Sequence, residues 1–341
     1  MVPSLDFYRL LPKVDLHRHL EGSLRLETMV EIARVYGITV PLSLLRPMVQ
    51  VQQNDPLTFK NFLSKFTTLR LFYRSPEIIA RITRETIEDA AKDRIEHLEL
   101  RFTPVALGRV QNFPLREVID WVTESAQKSA QEFGISVALI VSANRHEPVS
   151  LAEEAFRLAA EYRRRGVVGV DIAGNEAEFP LTPFIPLLHE ARQAGLHITI
   201  HAGEWSGAES VRQAIEKAGA ERIGHGVRII EDEKVVALAR ERGVTFEVCL
   251  TSNYQSGVVK RLEEHPFALM RRKGLQVTIN TDDPAVSQIT LSEEYELASK
   301  MFSLAPQELF AHVLLAARAS FLADHARQEL EKRLRAKAKW T

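Results

Sequence analysis

The chain has 341 residues, 45% hydrophobic and 26% charged, the balance of an ordinary globular protein. Its formal net charge of −1 excludes the basic excess of a nucleic-acid binder and gives no bulk attraction to an anionic membrane. The one cysteine, Cys249, excludes an internal disulfide and a cysteine-rich zinc site. The basic clusters Arg163, Arg164, Arg165 and Arg271, Arg272, Lys273 close helical stretches, where cations suit the helix dipole. No run approaches the roughly 18 apolar residues of a membrane span. Residues 1–12 lack the basic start and apolar stretch of a signal peptide, so a cytoplasmic location is expected.

The first apolar run, residues 13–20 (KVDLHRHL), reads as a strand. About 75 residues then separate it from the second, far beyond an ordinary connection. Within them, residues 57–72 carry Phe59, Phe62, Leu63, Phe66 and Leu69 at helical spacing. Strand 95–104 follows, then helix 115–133, with Val118, Ile119, Val122, Ala126 and Ala130 three and four apart. The alternation continues with strand 135–143, helix 151–162, strand 167–173, helix 184–194, strand 197–201, helix 210–218, strand 222–225, helix 231–240, and strands 245–250 and 276–281. Residues 306–338 read as closing helices with a charged tail. Gly134, Gly166, Gly195, Gly243 and Gly274 each sit just before a strand, where a helix C-terminal glycine belongs. Strand alternating with helix predicts parallel βαβ units. Eight strands predict an α/β fold of the (β/α)8 TIM-barrel type, with residues 1–341 as a single domain. A doubly wound open sheet is the alternative.

Hydrophobic strands repeatedly end in residues that bind metal or move protons. His17 and His19 end the first, His201 and Glu204 follow the fifth, His225 ends the sixth, and Asp282 and Asp283 follow the eighth. In a (β/α)8 barrel all those ends meet on one face, where active sites lie. Residues i and i+2 on a strand share a face, so His17 and His19 present two imidazoles together. His201 adds a third nitrogen and Asp282 a carboxylate. Three His and one Asp suit one zinc ion with an open position for water, although iron, manganese or cobalt would also fit. Asp282 also reads as a turn residue before Pro284. Glu204, near the metal, is a proton carrier whose pKa burial would raise; as a plain helix-start acid it needs no such role. His225, between Gly224 and Gly226, reads as a base with an open ring or as a hydrogen-bonded core histidine. Asp283 is placed to orient the water, accept a substrate hydrogen bond, or both. His97, His146, His189, His197, His265, His312 and His325 read as structural.

Six segments together resemble the adenosine deaminase family of the amidohydrolase superfamily. They are KVDLHRHLEGSL at 13–24, DIAGNE at 171–176, HAGE at 201–204, RIGHG at 222–226, EVCLTSN at 247–253 and NTDDP at 280–284. The resemblance implies a zinc-dependent hydrolytic deaminase of adenosine or 2′-deoxyadenosine. His17, His19, His201 and Asp282 match the zinc ligands. Glu204 matches the acid that protonates purine N1, His225 the residue that orients or deprotonates the water, and Asp283 the carboxylate that holds that water and N7. Gly174 matches a glycine whose backbone meets N3, and Glu21 an acid that grips the ribose; His19 also borders the substrate. The insertion around 41–75, with Phe59, Phe62 and Phe66, resembles the family's apolar lid, and it reads equally as a packing helix. Glu21 stands where many members carry Asp, which bears on the sugar's 5′ end. A deaminase of a 5′-modified adenosine such as aminodeoxyfutalosine, or of free adenine, is the alternative. A different amide or ester hydrolase on this barrel is a further one.

Overall fold

The fold is taken from a computed structural model, which describes residues 5–38 and 40–338. The outermost parts of the expected 1–341 domain, residues 1–4 and 339–341, lie outside the described residues. Eight strands form one sheet in chain order: β1 (Lys13–His19), β2 (Ile95–Phe102), β3 (Ser136–Asn144), β4 (Val167–Ala173), β5 (His197–Ala202), β6 (Arg222–His225), β7 (Thr245–Val248) and β8 (Gln276–Ile279). Each neighbouring pair is parallel. The two edges come together at Arg18 and Asp282, which form a parallel bridge. There the Asp282 N–H donates to the His17 carbonyl over 2.7 Å, and the His19 N–H donates to the Asp282 carbonyl over 2.8 Å. The sheet is therefore a nearly closed (β/α)8 barrel, not the open doubly wound alternative.

Parallel neighbours require crossovers, and helices supply them. Helix Leu115–Phe133 buries Val118, Ile119, Val122 and Ala126, and Gly134 ends it with φ 67°. Between β1 and β2 lie helices Leu26–Tyr36, Leu42–Val49 and Phe59–Leu69, then Pro76–Lys92. The expected helix 57–72 begins where the Thr58 side chain accepts from the Asn61 N–H, and it finishes in a 3-10 turn, Arg70–Phe72.

Three strands stop two residues short of their apolar runs. Pro104 opens helix Pro104–Gly108, so β2 stops at Phe102. The run 245–250 leaves the sheet after Val248, and Leu250 starts helix Leu250–Gln255. β8 ends at Ile279; the Asn280 N–H still donates to the Val248 carbonyl over 2.9 Å, and on the β1 side its Oδ1 accepts from the Leu16 N–H over 3.0 Å. The polar residues that follow β7 and β8 are thereby turned over the barrel mouth.

Inside the barrel the packing is ionic. Arg101, Arg222, Glu99, Glu247 and Asp171 are all buried. Arg101 pairs with Glu247 at 2.7 Å and Asp171 at 3.3 Å; Arg222 pairs with Glu99 and Glu247, both at 2.6 Å. Buried charge is tolerated only when paired in this way. Among the described residues no helix is long and apolar enough to cross a membrane.

Candidate active site

The ligating atoms of His17, His19, His201 and Asp282 lie within 4.8 Å of one another at the barrel mouth. His17 Nε2 stands 3.2 Å and His19 Nε2 3.4 Å from Asp282 Oδ1, and His19 Nε2 is 3.3 Å from His201 Nε2. Two donors bound tetrahedrally at the usual zinc–nitrogen distance stand about 3.3 Å apart, so these separations suit one ion. His17 Nε2 is buried and makes no hydrogen bond, despite lying close to Asp282. A nitrogen left bare at such cost is explained by a cation among the four donors.

Three of the four donors are aimed from behind. His17 Nδ1 bonds Glu247 Oε2 at 2.8 Å and His201 Nδ1 bonds Asp171 Oδ1 at 3.1 Å. Ser252 donates to Asp282 Oδ2 at 2.6 Å. Carboxylates on the outer nitrogens fix the imidazole tautomer and orientation. Burial pushes Asp171 and Glu247 up, but His201 and Arg101 beside the first, and Arg101 and Arg222 beside the second, outweigh it and hold both carboxyls well below the usual range. Asp282 (φ 65°) and His225 (φ 59°) occupy the left-handed region without being glycine. Such strain persists where the surroundings over-determine it, here through the β1 bridge at Asp282.

Glu204 is buried, and burial pushes its carboxyl well above the usual range. Asp282 and Glu176 add to that push and Arg145 opposes it. A carboxyl pushed up in this way beside the donor cluster is suited to carrying a proton. Its loop is clamped by Glu176, which accepts from the N–H groups of Gly203 (2.7 Å), Glu204 (3.0 Å), Trp205 (2.9 Å) and Ser206 (3.1 Å). His225 Nε2 lies 3.6 Å from Glu204 Oε2 and 3.9 Å from Asp282 Oδ2. The ring expected to be open is buried. Gly224 is required beside it because an added Cβ would come within 2.9 Å of the His17 ring. Asp283 is buried with Oδ1 unpartnered, and burial, then Asp282, pushes it up. Gly22 makes room for it, since a Cβ there would stand 1.8 Å from Asp283 Oδ1.

These groups open onto a cavity of about 270 Å³. Glu21 and Gly174 line it with His19, His201 and Asp282 of the donor cluster. Glu21 Oε1 accepts from the Thr103 N–H over 2.6 Å, while its buried Oε2 has no partner. Gly174 (φ 86°) brings backbone to the wall, where a Cβ would crowd Asn144 and His146 at 3.2 Å. Phe62 and Phe66 also line it; Phe59 instead packs on Trp205, ring centroids 5.5 Å apart. Two histidines read as structural take part after all. His146 lines the cavity, and His265 reaches His225 through Asn253. His97 bonds Ser136, His189 the Lys217 carbonyl and His312 the Val277 carbonyl, and His197 stacks on Phe321. Cys249 is a buried neutral thiol, pushed well up by burial, near His225 and Asp282.

The residues that aim the donors were missed in sequence, although the quoted segments contain them. Asp171 and Glu176 stand in DIAGNE, and Glu247, Ser252 and Asn253 in EVCLTSN.

The adenosine deaminase family model matches residues 12–337. An adenosine deaminase from Serratia proteamaculans is 37% identical over 330 residues, covering 95% of this chain and 98% of its own. The N6-methyl-AMP deaminase from Arabidopsis thaliana shares the fold at 28% identity and a TM-score of 0.86, with 98% of each chain covered. An amidohydrolase from Burkholderia ambifaria solved with bound Zn does so at 26% identity and a TM-score of 0.89, over 98% of this chain and 93% of its own. With likeness running through nearly its whole length, the chain belongs to the adenosine deaminase family and is a hydrolytic deaminase of adenosine-like substrates.

Proposed function

We propose that the protein is a zinc-dependent adenosine deaminase of cytoplasmic purine salvage. It converts adenosine and 2′-deoxyadenosine to inosine and 2′-deoxyinosine, with release of ammonia. The observation that carries this reading is a buried Glu204, its carboxyl pushed up by burial, beside four convergent metal donors. His17, His19, His201 and Asp282 would hold a zinc ion, which would supply the Lewis acidity that makes water a nucleophile near neutral pH.

The chain's own groups do the rest. Glu204 gives its proton to purine N1 as the water oxygen bonds to C6, which removes the ring's aromatic resistance to attack. His225 and Asp283 flank that oxygen and between them orient the water and take up its proton. The proton taken from the water passes to the amino nitrogen, the C6–N bond breaks and ammonia leaves, while the C6 hydroxyl becomes the carbonyl as its proton returns to Glu204. Glu21 Oε2, buried without a partner, takes a ribose hydroxyl, and the Gly174 backbone meets N3. Helix Phe59–Leu69 serves as the lid, since Phe62 and Phe66 wall the cavity and would exclude water from it. The test is loss of absorbance near the adenine band with adenosine, 2′-deoxyadenosine and adenine as rivals. The two nucleosides should be consumed far faster than the base. Adenine as the best substrate, or no turnover of any, overturns the reading.

One observation favours a second reading, a deaminase of a 5′-modified adenosine such as aminodeoxyfutalosine. Arg70 lines the cavity half-buried, and among the described residues its guanidinium forms no salt bridge, with Nε buried and bare. It acts electrostatically on Glu21 and His146, which places it at the Glu21 end of the cavity. An idle cation there suits an acceptor-rich group on the sugar's 5′ side. Under this reading a 5′-extended adenosine outcompetes adenosine, and Arg70→Gln removes that preference alone.

A further inference from the structure

Helix Phe267–Arg272 begins with an N–H that has no partner in its own helix. Phe267 N–H donates instead to Nδ1 of His265 over 3.1 Å. His265 is buried, and burial pushes it down to about 3, so the ring is neutral at pH 7. A neutral imidazole carries one proton, and with Nδ1 accepting, that proton sits on Nε2. His265 Nε2 faces Asn253 Oδ1 at 3.3 Å and donates to it. The other end of the buried Asn253 amide, Nδ2, stands 3.0 Å from His225 Nδ1. Turning the amide over would set its NH₂ against the N–H of His265, donor to donor. The direction of every bond is therefore set from the helix start.

We infer that His265 and Asn253 are positioning residues that fix the tautomer of His225, so that His225 presents an N–H, not a lone pair, to the attacking oxygen. The inference rests on the reading above that His225 flanks that oxygen. It narrows the shared task given there to His225 and Asp283. Nδ1 of His225 is occupied by the Asn253 amide, and Nε2, the nitrogen facing Glu204 and Asp282, carries the hydrogen. His225 then orients the water by donation and steadies charge that develops on its oxygen, rather than removing its proton.

The test is long-range nitrogen–proton correlation NMR on the metal-loaded protein with ¹⁵N-labelled histidine, paired with steady-state kinetics. His225 should carry its proton on Nε2. Asn253→Asp puts an acceptor against Nδ1 and should move the proton there. It should lower kcat by about 100-fold, the usual cost of one donor at a developing charge, with KM within about threefold. His265→Leu should leave mixed tautomers and reduced kcat. His265→Gln, which keeps an N–H toward Asn253, should recover most of that kcat. If Asn253→Asp does not fold, the two His265 variants decide. A wild-type His225 with its proton on Nδ1, or variants that change neither tautomer nor kcat, overturns the inference. The NMR arm needs no turnover. Inactivity on every adenine substrate would therefore sink the proposed function and still leave the tautomer measured.

Discussion

Glu247 holds Nδ1 of His17 at 2.8 Å, and the same carboxylate pairs with Arg101 at 2.7 Å and Arg222 at 2.6 Å. The metal donor is thus tied to the ionic interior of the barrel. Glu247→Gln keeps the shape and removes the charge that Arg101 and Arg222 share. Metal affinity should fall about 10- to 100-fold, as for other groups that orient a ligand. Unfolding stability should drop by about 3 kcal/mol, because two buried arginines lose part of their pairing. A chelator titration and urea unfolding read the two effects. Unchanged values in both would separate the interior network from the site.

Glu204→Gln should leave the fold and metal content intact and lower kcat by about 10²–10⁴-fold, the contribution expected of one proton donor. Near-normal turnover would remove Glu204 from the proton-transfer role.

Glu176→Ala should act on the same step at one remove. It strips the acceptor from four successive backbone N–H groups, including that of Glu204. Each one left buried without a partner costs about 1–3 kcal/mol, so the loop should shift. Turnover should fall at least about tenfold while bound metal stays constant. Full activity in this variant would show that the clamp does not position Glu204.

Stability should depend on pH through Glu99. Burial pushes this carboxyl up, but Arg222 and His97 outweigh it and hold it at about 2, below its ordinary 4.5. A depressed folded pKa stabilises the protein above 4.5, and that contribution disappears as pH falls through about 2. Wild type should therefore exceed Glu99→Gln on the order of 3 kcal/mol at pH 7, with the two curves converging in acid. Parallel unfolding curves across that range would contradict the linkage.

The barrel and its mouth are legible in the sequence because turn glycines and apolar runs mark each βα unit, and polar side chains gather at strand ends. His17, His19, His201 and Asp282 stand out by that rule. Glu99, Arg101, Asp171 and Glu247 do not, since they sit within strands. In β2 every residue is buried on one face or the other, so burial pattern alone does not tell barrel interior from helix interface. Closure at Arg18 and Asp282 joins residues at opposite ends of the chain, beyond the reach of local pattern. His265 looks like an ordinary histidine before a proline. Its link to Asn253 exists only once helix Phe267–Arg272 is docked.

The most direct test is the metal content of the purified protein, measured by atomic emission for wild type and His17→Ala. One zinc per chain in the wild type, lost together with adenosine turnover in the variant, is the expected result. Unchanged metal in His17→Ala, or a metal-free wild type that still deaminates adenosine, would contradict the four-donor site.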